Sequence, residues 1–401
     1  MTLADDLLTA EAVRSRCSAV MQWVAQGHSP HFSWHPARLS DVARLVIDTT
    51  LARHADLASV PFHSRWRHFE AGGVDRWQAL VNGHSLQDRH ERARAAIDLV
   101  IPSVLLDAGA GAEWRYVDKA TGQTLTRSEG LGVASLRWFE TGAWSADPHA
   151  TLRTDASALQ SLRPQALATA FQVNDANPLV GLPGRVDLLR RLGDVMAANP
   201  VVFGAPPRLG HLYDHLRTLS GGQPLPASLL LRTLLMTLGA VWPGRATLDG
   251  LPLGDCWQHP ALPDRWVPFH KLTQWLAYSL LEPLAEAGLP VTGLDALTGL
   301  PEYRNGGLLL DTGLLQPRDP AFHTQAWRVD DEAIVEWRAI TVIALDQIAA
   351  EIRRQCDLTA EQLPLARVLE GGTWLAGRQL AAERRPGGAP PLSLLSDGTV
   401  F

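Results

Sequence analysis

Asp330-Asp331-Glu332-Ala333-Ile334-Val335-Glu336-Trp337-Arg338-Ala339-Ile340-Thr341-Val342-Ile343-Ala344-Leu345 is the stretch on which the fold class turns. Its three leading acids suit the positive end of a helix. From Trp337 onward it is apolar nearly all round, the mark of a buried helix. Glu336 and Arg338, two residues apart, face different directions and cannot pair with each other. An unpaired buried charge is costly, so each needs a partner elsewhere. Arg304 for Glu336 and Glu302 for Arg338 are the candidates.

Outward from this helix, spanning Asp330 to Gln355, the same period recurs. Residues 1–25, Leu39 to Leu57, Ser85 to Leu106, Ser157 to Phe171, Gly184 to Ala197, Ser228 to Leu238 and Val267 to Ala287 read as helices. Pro102 is expected to break or restart its helix. Val60 to Trp77 reads as an ordered loop, and the chain from Gly371 as a Gly- and Pro-rich tail. Thr121-Gly122, between Trp114–Val117 and Thr124–Arg127, is the best β-hairpin signal. The expectation is a mainly α, compact single domain over 1–401. It has a helical part to about 105, a hairpin and loop part over 106–150, and a helical part over 151–401.

Composition narrows the function. Of 401 residues, 46% are apolar, which suffices for a large core, and the net charge of −6 argues against a nucleic-acid partner. No apolar run reaches membrane-spanning length, and the acidic start, Met1 to Asp6, is unlike a secretory leader. Cys17, Cys256 and Cys356 lie far apart, with neither metal-ligand nor disulfide spacing. A cytoplasmic enzyme without metal or cofactor is expected. Lysine occurs only at 119 and 271, against 34 arginines, so Lys271 draws attention as a compact, titratable ammonium.

Four segments carry candidate chemistry. Leu105-Leu106-Asp107-Ala108-Gly109-Ala110-Gly111 resembles the glycine motif of Rossmann-like methyltransferases, or is a helix end with permissive glycines. The hairpin that follows it, where that fold needs a helix, argues for the second reading. Thr126 to Gly132, with Glu129, is either a ligand contact or a turn. Lys271, Gln274, Tyr278 and Glu282 share one helical face, beside Trp275, either as a site or as a solvated stripe. Glu302, Tyr303 and Arg304 sit in a turn-like segment. His63, Arg65 and Arg67 are further candidates, for a phosphate.

Several stretches together carry a resemblance. They are Leu105 to Tyr116, Arg127-Ser128-Glu129-Gly130-Leu131, Phe171-Gln172-Val173, Asn177-Pro178-Leu179 and Ser396-Asp397-Gly398-Thr399-Val400-Phe401. The chain resembles, end to end, the uracil-catabolism protein 4 family of fungi and bacteria, formerly a domain of unknown function. Phe269-His270-Lys271-Leu272-Thr273-Gln274, Leu297-Thr298 through Arg304, and Glu336-Trp337-Arg338-Ala339 are similar, more distantly, to three blocks of the queuosine nucleoside glycosylases. Here Glu302 replaces an Asp, and Asn305-Gly306-Gly307 replaces an apolar-Pro-Gln run.

The resemblances imply a DNA-glycosylase-like helical fold. They also imply a hydrolase that breaks an N-glycosidic bond in uracil catabolism, releasing urea from ribosylurea or its 5′-phosphate. Glu302, Lys271 and Asp107 are the implied catalytic residues. Arg304, Tyr303, Gln274, Glu336, Arg338, Glu129, Trp275 and His270 are the implied substrate contacts. The partner expected is a small ribosylated molecule. The alternatives are an S-adenosylmethionine-dependent methyltransferase and a non-catalytic escort of a pathway intermediate.

Overall fold

A computed structural model describes residues 2–242 and 245–395. Helices dominate, and the strands are two or three residues long and joined in pairs, so the mainly α expectation holds. Among the described residues no helix is long and apolar enough to cross a membrane. The chain forms two compact units. Of the described residues, one gathers 2–63, 245–274 and 293–395; the other holds 64–242 and 275–292. The division falls inside the helix Lys271–Glu286.

In the first unit the central element is Glu332–Cys356, buried from Ala333 through Leu345 as its all-round apolar pattern requires. It packs on the helices Ala10–Ala25, Leu39–Leu51 and Tyr303–Asp311. The expected Gly/Pro tail is a helix instead. Gly371 and Gly372 lie in a π-helical turn against Leu39–Leu51, where a Cβ would meet Thr50 and Val46, and the helix Trp374–Arg384 follows. Close approach to a neighbour, not chain flexibility, is what calls for glycine there.

The second unit is built on Arg89–Leu105, which packs against Arg127–Glu140, and on Leu182–Ala198 with Ala156–Gln160. Pro102 does not break its helix. Lacking an N–H, it frees the carbonyl of Asp98, and Thr154 Oγ1 donates to that oxygen at 2.7 Å. Pro283 in Lys271–Glu286 repeats the device: Trp66 Nε1 donates to the carbonyl of Ser279 at 2.8 Å. The expected loop Val60–Trp77 contains the short helix Trp66–Phe69 that presents this indole.

The hairpin is present, with Tyr116–Asp118 antiparallel to Gln123–Leu125. Its outer edge is covered by side-chain amides. Gln172 accepts from Val117 N (3.0 Å) and donates to Val117 O (2.9 Å). Asn177 does the same at Arg115, at 2.8 and 2.9 Å. The motifs around Gln172 and Asn177 therefore have a structural task, supplying a substitute strand to an open edge.

Candidate functional site

Asp255 holds the first unit's polar network together. Arg338, fully buried on the central helix, donates through Nη1 and Nη2 to its two oxygens, both at 2.8 Å. Trp257 Nε1 donates at 2.7 Å, and the backbone N–H of Lys271 at 3.1 Å. Burial alone would raise the Asp255 carboxyl, but the Arg338 guanidinium and these donors hold it well below the usual carboxylate range. The Arg338 guanidinium also lies 4.1 Å from the centroid of the Phe269 ring. The expected pairing of Arg338 with Glu302 is thus replaced by Asp255. Glu336 is not paired with Arg304: fully enclosed, it accepts from Ser29 Oγ and meets His259 Nε2 at 3.2 Å.

His270 stands at φ +48°, a conformation that few side chains adopt, as the chain turns from strand into helix. Its Nε2 lies 2.9 Å from the carbonyl of Leu7, which can only accept, so Nε2 carries the proton. Burial lowers the His270 pKa and favours the neutral ring. One turn on, Gln274 clamps the next block. Its Nε2 donates to Thr298 Oγ1 (2.6 Å) and Phe269 O (3.1 Å), while its Oε1 accepts from Thr298 N (2.8 Å). Lys271, Gln274 and Tyr278 are buried, which removes the solvated-stripe reading. Glu282 at the stripe's far end pairs with Arg67 in the second unit.

Thr298 leads to Glu302, which ends a turn-like, extended segment and is the N-cap of the helix Tyr303–Asp311. Its two oxygens accept from the N–H groups of Arg304 (2.7 Å) and Asn305 (2.6 Å). It is half-buried. Arg304 Nη1 donates to Gly388 O at 3.0 Å, and burial beside Glu302 pushes the Tyr303 phenol up to about 12. Trp337 Nε1 closes the circuit, donating to Gly306 O at 3.1 Å. Three blocks far apart in sequence thus meet in one hydrogen-bonded network: Arg338 through Asp255 to Lys271, Gln274 to Thr298, and Trp337 to Gly306.

Asp107, Glu129 and Trp275 belong to the second unit. Asp107 follows the helix ending at Leu105, not a strand, so the methyltransferase motif lacks its framework. Arg185 donates to the carbonyls of Leu106, Ala108 and Gly109, the last two at 2.9 Å, so this loop turns acceptors inward, the wrong polarity for a phosphate cradle. Burial lowers Arg185 to about 10. Arg65, with no exposed surface, lies 2.8 Å from Asp107 Oδ1, donates to Ser103 Oγ, and sits 5.7 Å from the Trp275 ring. Burial lowers its pKa, against the opposing charges of Asp107 and Glu129. Glu129 is in the first turn of Arg127–Glu140, a helix where a ligand loop or turn was expected. The phosphate candidates are all occupied by carboxylates: His63 by Glu370, Arg65 by Asp107, Arg67 by Glu282.

Asp255, Ser29 and His259 are the network members that sequence reasoning missed. The need for a carboxylate opposite Arg338 was readable, but which of many acids met it was not. The motif Ser396–Phe401 lies outside the described residues.

Comparison with known proteins decides the family. A family model described as a protein of unknown function (DUF1688) matches residues 6–401. The chain belongs to this family. Protein urg3 of Schizosaccharomyces pombe is 38% identical over 402 residues, with 98% of each chain covered. Uracil catabolism protein 4 of Lachancea kluyveri is 38% identical over 429 residues, with 97% of each covered. Family membership through nearly the whole length agrees with the resemblance read from the motifs.

Proposed function

We propose that this family member acts in uracil degradation as a hydrolase of an N-glycosyl bond, releasing urea from ribosylurea or its 5′-phosphate. The name of the Lachancea relative, uracil catabolism protein 4, supports the pathway. The observation that carries the chemistry is the joining of the three blocks into one network that leads to Glu302, whose carboxylate is fixed at a helix N-terminus.

Cleaving C1′–N builds positive charge on the ribose as urea departs. Glu302 stands at a helix N-terminus, where negative charge is favoured, and its free lone pairs remain able to face that cation or to accept from the attacking water. Water supplies the new C1′–O bond, and its proton goes to the departing nitrogen. Lys271 and Arg304 orient the carboxylate or the ribose hydroxyls, and Tyr303 remains a neutral phenol. Gln274, His270, Glu336 and Arg338 act as positioning residues, since their polar groups are engaged within the protein.

The experiment is incubation of pure protein with ribosylurea and with its 5′-phosphate, following urea and free sugar by mass spectrometry. Both products should appear together. Glu302→Gln keeps the shape and one of the two acceptor oxygens at the cap, so it should fold and lose about 10²–10⁴-fold in rate. A fully active Glu302→Gln would remove the assignment, and a folded protein that releases nothing but binds the nucleoside would favour an escort.

A further inference from the structure

We infer that the second unit carries a separate site for a small phosphate monoester, in a cleft of about 530 Å³. The cleft lies between the start of the helix Arg89–Leu105, the end of Leu212–Ser220 and the turn at 287–290. Arg89, His90, Tyr213, Arg217, Ser220 and Gln223 supply its polar groups, and no Asp or Glu lines it.

The neighbouring charges are already satisfied. Arg94 binds both oxygens of Asp214, at 2.8 and 2.7 Å, and Arg92 donates to Leu86 O. Arg89 and Arg217 are exposed and make no ion pair or side-chain hydrogen bond among the described residues, although Arg217 is near enough to Asp214 to help lower its carboxyl. The Arg89 guanidinium lies beside Gly288, with Nη1 3.4 Å from where a Cβ would stand. His90 Nδ1 meets the buried Tyr213 hydroxyl at 2.6 Å, which fixes the ring beside the arginines.

Two planar forks, an imidazole and side-chain hydroxyl and amide donors, with the neighbouring carboxylates of Asp214 and Glu286 outside the cleft lining, match the several oxygens and double charge of a phosphate monoester better than a single carboxylate. The volume suits a small metabolite. This site is independent of the Glu302 network.

The test is isothermal titration calorimetry of the full chain with inorganic phosphate, ribose 5-phosphate, ribose and succinate. Phosphate and ribose 5-phosphate should bind, ribose should not, and succinate should bind at least about tenfold more weakly. Arg89→Gln and Arg217→Gln should each weaken phosphate at least about tenfold, whereas Glu302→Gln should leave inorganic phosphate binding unchanged. Because both arginines are exposed, these variants should fold. No binding of phosphate, unchanged binding when Arg89→Gln and Arg217→Gln are combined, or succinate binding as tightly as phosphate would each overturn the site.

Discussion

Replacing Asp255 with asparagine tests the network at its centre. The substitution keeps shape and one acceptor oxygen but removes the charge facing Arg338, which has no exposed surface. Stranding a buried partner of an ion pair costs about 3–5 kcal/mol. Because the Asp255 side chain keeps 16% of its surface, we take the lower end, about 3 kcal/mol. Urea denaturation followed by tryptophan fluorescence and circular dichroism should show the midpoint falling by about 1 M. Arg338→Met in the Asp255→Asn background should recover part of the loss, because the stranded charge is then gone. The pH dependence has a definite sign. Arg338 depresses the Asp255 carboxyl in the folded state, so its contribution is present above the unfolded value of about 3.9 and fades as pH falls below it. Wild type should therefore lose more stability than Asp255→Asn on acidification below about pH 4. A midpoint shift under about 0.3 M, with the same acid slope in both proteins, would refute an electrostatic hub.

Two further substitutions probe close packing and the proline devices. Gly377→Ala places a Cβ 2.0 Å from the carbonyl oxygen of Arg304, so it should cost about 1–3 kcal/mol in urea denaturation and lower hydrolysis by displacing the start of the Glu302-capped helix. Thr154→Val removes the donor to Asp98 O, a carbonyl that Pro102 cannot serve, and should cost about 1–3 kcal/mol, with faster hydrogen exchange around Pro102.

Much of the site was legible in part. Glu336 and Arg338 on an apolar helix announced buried charges in need of partners, yet the partners proved to be Ser29, His259 and Asp255. These come from loops and a strand edge with no periodicity to mark them. Glu302-Tyr303-Arg304 was readable as a polar constellation. That Glu302 caps a helix was not, because the following Asn305-Gly306-Gly307 has poor helix propensity and is held helical by packing against Trp337 and Trp374–Arg384. Pro102 and Pro283 misled for a related reason: a local rule about a missing N–H is answered by a donor 56 residues away in one case and 213 in the other.

Hydrophobic period was enough for the mainly α class and the buried helix over Glu332–Cys356, and the Thr121-Gly122 turn signal for the hairpin, because each depends on interactions within a few residues. The composition of each unit from separated segments, the convergence of Asp255, Lys271, Arg338 and Thr298, and the inward carbonyls around Arg185 came from tertiary packing. A buried charge or an orphaned carbonyl specifies only that a partner must exist. Which residue answers is set by where distant segments lie once apolar faces have found each other, and that information is spread over the whole chain.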